Sequence, residues 1–124
     1  MRKKICLLMI IALFILSACS FEKIDKIQLY EMESFSNIRK DSMMIIKDKQ
    51  DIIQIRNGID SAKKQPGVVD MADPEYKIEV GKNTYYLWIS ENSGTIMNLE
   101  DTNTIYSLTK YSAKRVGEII KKNK

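Results

Sequence analysis

Apolar and polar positions along the chain fall into segments with different periods. An unbroken apolar run from Ile5 to Leu16 follows Met1-Arg2-Lys3-Lys4 and leads into Leu16-Ser17-Ala18-Cys19. From Ile24 to Met32 the apolar residues partly alternate, with Ile27 and Leu29 on one face and Gln28 and Tyr30 on the other, as in a half-buried strand. Asn37 to Asp41 is polar and predicts a turn, and Met43-Met44-Ile45-Ile46 fits a second, more buried strand. The period then changes. Asp48 is placed to cap a helix with Asp51 in its first turn, and Ile52, Ile55, Ile59 and Ala62 follow as one apolar stripe. Lys63 and Lys64 fall in its last turn, where positive charge suits the helix dipole, and Gln65-Pro66-Gly67 ends it. Gly58, inside this helix, costs up to about 1 kcal/mol relative to Ala and hints at close packing.

After an irregular link from Val68 to Pro74, Tyr76, Ile78 and Val80 alternate with Lys77 and Glu79. A two-residue turn at Gly81-Lys82 leads into the strongest strand pattern of the chain, Thr84 to Ser90. That turn puts Ile78 and Val80 on one face with Tyr85 and Leu87, and Tyr86 and Trp88 on the other with Lys77 and Glu79. Asn92-Ser93-Gly94 fits a three-residue hairpin loop with Gly94 in the left-handed position, a register that sets Met97 and Leu99 beside Leu87 and Ile89. A further strand is expected from Thr104 to Leu108. Thr109 then caps a final helix, with Leu108 stapled onto Ala113, and Ala113, Val116, Ile119 and Ile120 facing inward.

The order strand, strand, helix, three strands, helix predicts an α+β domain. Its architecture is a mainly antiparallel sheet of about five strands with both helices on one face.

The N-terminal segment has the parts of a secretory signal: a cationic start, an apolar centre and small residues before a cut. Its apolar centre of 12 residues is short against the roughly 20 needed to span a bilayer. Leu16-Ser17-Ala18-Cys19 reads as a lipobox, with Cys19 as the acylated residue. Residues 1–18 are then the signal peptide, 19–23 the lipidated cysteine and a short tether, and 24–124 a single domain. Two acyl chains give stable attachment where one gives only marginal binding, so the expected location is the extracytoplasmic face of the cell membrane.

Composition narrows the chemistry. Loss of Arg2, Lys3 and Lys4 with the signal leaves 17 of the 20 basic residues against 16 acidic ones, and no sustained basic face points to nucleic acid. Cys6 lies in the discarded run, Cys19 would carry lipid, and the chain contains no histidine. The mature part therefore has no side chains for a disulfide, for Ser-His-Asp or Cys-His catalysis, or for the common zinc hydrolase sites. No cofactor, metal site or catalytic set is expected.

The candidate binding surface is Tyr86 and Trp88 amid Lys77, Glu79 and Asn98, an aromatic platform suited to a sugar or peptide. Burial of the same strand on both sides is the competing reading. Asp70, Asp73 and Glu75 in the link offer carboxylate oxygens, yet lack the glycine and terminal glutamate of an EF-hand loop, and Asp73 before Pro74 also marks a turn. Glu100 and Asp101 are adjacent and would converge only in a turn.

The residues Pro66-Gly67-Val68-Val69-Asp70-Met71, Pro74-Glu75-Tyr76, Tyr86-Leu87-Trp88-Ile89, Ser93-Gly94-Thr95-Ile96-Met97 and Asp101-Thr102 resemble the YhfM-like lipoproteins of Bacillus and related Gram-positive bacteria. The resemblance runs from about Ile24 to the C-terminus. It implies a small surface-attached protein without an assigned activity, so it supplies no site residues. The expected function is a lipid-anchored, non-enzymatic domain that binds an envelope protein, a peptide or a wall glycan. The alternatives are a small envelope hydrolase using Asp, Glu, Ser or Lys, and an immunity or protective lipoprotein that intercepts a toxin.

Overall fold

The computed structural model describes residues 23–66 and 70–124, so the expected signal peptide, Cys19 and residues 67–69 of the link lie outside the described residues. The elements run β1 (Ile27–Glu31), β2 (Met44–Ile46), α1 (Lys49–Asp60), β3 (Lys63–Lys64), β4 (Tyr76–Val80), β5 (Asn83–Ile89), β6 (Gly94–Asn98), β7 (Tyr106–Ser107) and α2 (Lys110–Asn123). The strands form one antiparallel sheet in the order β2-β1-β4-β5-β6-β7-β3. The α+β class holds, with seven strands in place of about five.

Alternation along β1, β4, β5 and β6 sends Ile27, Leu29, Ile78, Val80, Leu87 and Ile96 to one face. There they share a core with Ile52 and Ile55 of α1 and with Ala113, Val116, Ile119 and Ile120 of α2. Both caps form as expected: Asp48 accepts from Asp51 N and Thr109 from Ser112 N. The helices run antiparallel. At one end the buried Asp51 carboxylate meets Lys122 Nζ at 2.7 Å; at the other a Cβ on Gly58 would lie 3.4 Å from Ser112 Cβ and 3.7 Å from Val116 Cγ2. Gly58 therefore faces α2, but a Cβ at these distances would make only ordinary van der Waals contact, so the packing that its position suggested does not require glycine.

Four local expectations are corrected. The first helix stops at Asp60, where the Ser61 hydroxyl donates to Asn57 O, and Lys63 and Lys64 pair with Ser107 and Tyr106 as an edge strand. A pair of lysines after an apolar stripe looks like a helix end, whereas the pairing partner lies some forty residues away and leaves no local trace. The strand expected from Thr104 to Leu108 is correspondingly reduced to Tyr106–Ser107. β2 is an edge strand with only Ile46 fully buried; Met43 and Ile45 are exposed.

The third hairpin has the largest difference. Its tip is Glu91-Asn92, with Ser90 N donating to Ser93 O at 2.8 Å, and Gly94 already lies in β6 opposite Ile89. Gly94 does not take a positive φ; Gly81, at the preceding turn, does (φ 60°), as the first position of a type II′ turn requires. What Gly94 supplies is space, because a Cβ there would sit 2.7 Å from Leu108 Cδ1 and 3.0 Å from Ile89 Cδ1. The shifted register pairs Leu87 with Ile96 and Tyr86 with Met97, so Met97 moves to the outer face. The register differs from the expected one by three residues, and any odd slip exchanges the two faces of a strand.

Candidate functional site

The outer face of the sheet is the one away from the helices. Across β1, β4, β5 and β6 it carries the row Tyr30, Lys77, Tyr86, Met97, with Gln28, Glu79 and Thr84 alongside. Lys77 lies directly between Tyr30 and Tyr86, and Glu79 between Gln28 and Thr84. Of the predicted surface residues, Tyr86, Trp88, Lys77 and Glu79 therefore share this face and are half-buried, whereas Asn98 pairs with Tyr85 and falls on the inner face because of the shifted β6 register.

No helix covers this face among the described residues; two loop segments do. The β1–β2 connection brings Phe35 over β5, where its ring meets Tyr86 edge-on at 5.5 Å and Trp88 at 6.0 Å. Tyr86 and Trp88 are themselves 6.3 Å apart. The Tyr86 hydroxyl donates to Phe35 O at 2.9 Å, and Trp88 Nε1 donates to Ala72 O, also at 2.9 Å. Asp73 Oδ1 accepts from Phe35 N at 3.3 Å and joins the two loops. The polar end of each large aromatic thus holds a loop. Such bonds are worth about 1 kcal/mol net each and the ring pairs about 0.5–1.5 kcal/mol beyond their burial. Met32 and Met97 are buried outside the main core cluster, consistent with cover from this side.

Phe35 is the residue that sequence reasoning missed. It is a lone aromatic in the polar stretch Glu33-Ser34-Phe35-Ser36-Asn37, and that isolation is the only local signal that it packs elsewhere. Asp73 does not mark a local turn: its carboxylate accepts from the Phe35 backbone N–H, 38 positions away. Asp70, Asp73 and Glu75 do not come together as a three-ligand group among the described residues.

A separate open cleft of about 540 Å³ lies on the helix side, beyond the end of α1, lined by Asp60, Tyr85, Asn98, Glu100, Asp101 and Tyr106 among others. Glu100 and Asp101 do reach a common turn, in which Asn98 Oδ1 accepts from Glu100 N. Burial first, then the charge of Asp60 and the neighbouring Tyr106, raises the Tyr85 pKa above its ordinary 10.0. Tyr85 is therefore held as a neutral phenol, suited to donating a hydrogen bond and opposed to acting as a base.

The fold and this face define a small sheet-and-helix domain whose sheet side away from the helices carries an aromatic cluster clasped by loops. The chain belongs to the YhfM protein family, whose model matches residues 22–124. Among solved structures it is similar to a thioesterase-like protein from Clostridium sporogenes, with a TM-score of 0.59 and 22% identity, covering 77% of this chain and 93% of that one. At that identity the likeness is one of fold. No curated protein matches the chain.

Proposed function

We propose that this YhfM-family protein is a binding domain held at the extracytoplasmic face of the cell membrane by lipid on Cys19, and that it engages an envelope partner (a protein, a peptide or a glycan) through the outer face of its sheet. The observation that carries this reading is the composition of that face: Tyr30, Tyr86 and Trp88 remain partly in solvent and Ile45 is 40% exposed. Tyrosine and tryptophan in such a setting are the common anchors of interfaces, and the polar rim of Gln28, Lys77 and Glu79 suits the edge of one. No helix among the described residues is long and apolar enough to cross a membrane, and the lipobox pattern at Leu16-Ser17-Ala18-Cys19 supports a lipid anchor in that role.

The test is site-specific photo-crosslinking in cells, with the photoreactive residue at Tyr30 or Ile45 on the outer face, or at Tyr111 on α2, which is 67% exposed. One species should crosslink from Tyr30 and Ile45 and not from Tyr111. Cys19→Ala should release the chain into the medium and abolish that product. Equal yields from all three positions would remove the outer face from the argument, and a retained Cys19→Ala protein would remove the anchor.

A further inference from the structure

Two glycines interrupt the helices, and only one of them faces a neighbouring element. Gly58 faces Ser112 and Val116 of α2, as described above. Gly117, in the middle of α2, is different: a Cβ built there meets nothing within 4 Å. Glycine inside a helix costs about 1 kcal/mol relative to alanine, and here no neighbouring chain group uses the space.

Gly117 lines a groove of about 490 Å³ between the C-terminal half of α2 and the ends of β4 and β5. The volume lies in the range of small-ligand sites. Its apolar lining is Tyr76, Ile89 and Ile120. Lys114 and Lys121 stand one turn before and one turn after Gly117 on the same helix, whereas Glu75 and Glu91 line the groove from the strand side. Two other charged groups at the groove are already engaged: Glu118 pairs with Arg115 at 2.8 Å, and Lys124 pairs with Glu31 at 3.2 Å above the Tyr76 ring. Lys114, Lys121, Glu75 and Glu91 carry no ion pair among the described residues. The groove therefore presents open positive charge from one wall and open negative charge from the other, across an apolar floor, with bare helix backbone between the lysines.

We propose that this groove binds a short peptide with both ends free. Its carboxylate lies between Lys114 and Lys121 against Gly117, its ammonium group faces Glu75 and Glu91, and its apolar body rests on Ile89 and Ile120. The charge arrangement selects a zwitterion over a simple anion, and the absent Cβ lets the carboxylate approach the helix. A peptide derived from the cell wall and one derived from protein share this chemistry. The site is distinct from the outer sheet face and does not depend on the function proposed for it.

The test uses the full chain in detergent micelles and follows amide chemical shifts during titration with D-alanyl-D-alanine, as the wall-derived form, and L-alanyl-L-leucine, as the protein-derived form. Saturable shifts at Gly117, Lys114 and Lys121 with either peptide are expected, and the tighter of the two identifies the source. Acetylating the amine or amidating the carboxylate should each weaken binding by about tenfold, the value of one charge-assisted contact. Gly117→Ala should raise Tm by about 4 °C and abolish the shifts, a pairing that a purely structural glycine would not produce. Lys114→Glu with Lys121→Glu, both at exposed positions, should abolish binding while leaving Tm near that of the parent. Absence of saturable shifts with both peptides, unchanged binding in Gly117→Ala, or a fall in its Tm would each overturn the proposal.

Discussion

On the inner face of the sheet, Ile55 and Leu87 are each 1% exposed beneath two amphipathic helices, whereas on the outer face Tyr86 and Trp88 keep part of their rings in solvent beneath two loop segments. The inner cover comes from side chains that repeat along continuous elements, so each contact is backed by neighbours in the same helix. The outer cover hangs from a few hydrogen bonds between distant residues: Tyr86 to Phe35 across 51 positions, and Trp88 to Ala72 across 16. Removing one inner contact opens a cavity within a packed cluster. Losing one outer bond releases a loop and leaves the cluster intact. The two faces should therefore differ in how much stability a substitution costs and in how locally it is felt.

The sharpest way to break this contrast is Leu87→Ala. The side chain lies within the main core, and its truncation should cost about 3 kcal/mol, from lost burial plus the cavity left behind, measured as a shift in the urea midpoint at constant slope. A cost below about 1 kcal/mol would mean that the helices settle onto the sheet more freely than a packed core allows.

A smaller and more local effect is expected from Tyr86→Phe, which keeps the ring and removes the hydroxyl that donates to Phe35 O. Global stability should fall by about 1 kcal/mol, and the amide of Phe35, held by Asp73, should exchange faster, while amides of α1 and α2 keep their protection. Uniformly faster exchange would show that both faces unfold as one unit and that the contrast is false.

The smallest effect concerns pH. The phenol of Tyr85 titrates above its ordinary value of 10.0 because burial and then Asp60 disfavour the phenolate; Lys124 also titrates above its ordinary value, through hydrogen bonds to Tyr76 and then Glu31. In both cases the folded state holds its proton more tightly than the unfolded state. Their contribution is complete below pH about 10 and is lost as pH rises through the folded values. Tyr85→Phe should flatten the alkaline decline in stability without changing stability at neutral pH. An equally steep decline in the variant would place its cause elsewhere, in the exposed Lys124 pair or in the chain's net charge.

Much of the inner face was legible because its signals are local. Alternation along Tyr76 to Val80 and Tyr85 to Ile89 assigned the strand faces, and the spacing of Ile52 and Ile55, and of Ala113, Val116 and Ile120, marked the buried helix faces. Asp48 and Thr109 marked helix starts by the chemistry of a side-chain oxygen three residues before a free backbone N–H. The candidate surface was legible only in part. Tyr86, Trp88, Lys77 and Glu79 do share one face, but Phe35 and the carbonyls that receive the aromatic donors come from other parts of the chain. Gly94 was misread for a related reason: a glycine before an alternating run suits either a left-handed turn or a tight contact, and only the position of Leu108 distinguishes them.

The sequence by itself determined the α+β class, the two amphipathic helices with their caps, and the side of the sheet on which each residue from Tyr76 to Ile89 lies. Each of these follows from periods of two or 3.6 residues and from groups within one turn of each other. Tertiary structure alone decided that Lys63-Lys64 would close one edge of the sheet, that β6 would pair with Ile96 inward and Met97 outward, and that Phe35 would settle over Tyr86 and Trp88. Those outcomes depend on which distant groups find room and a hydrogen-bond partner once the helices have taken the other face.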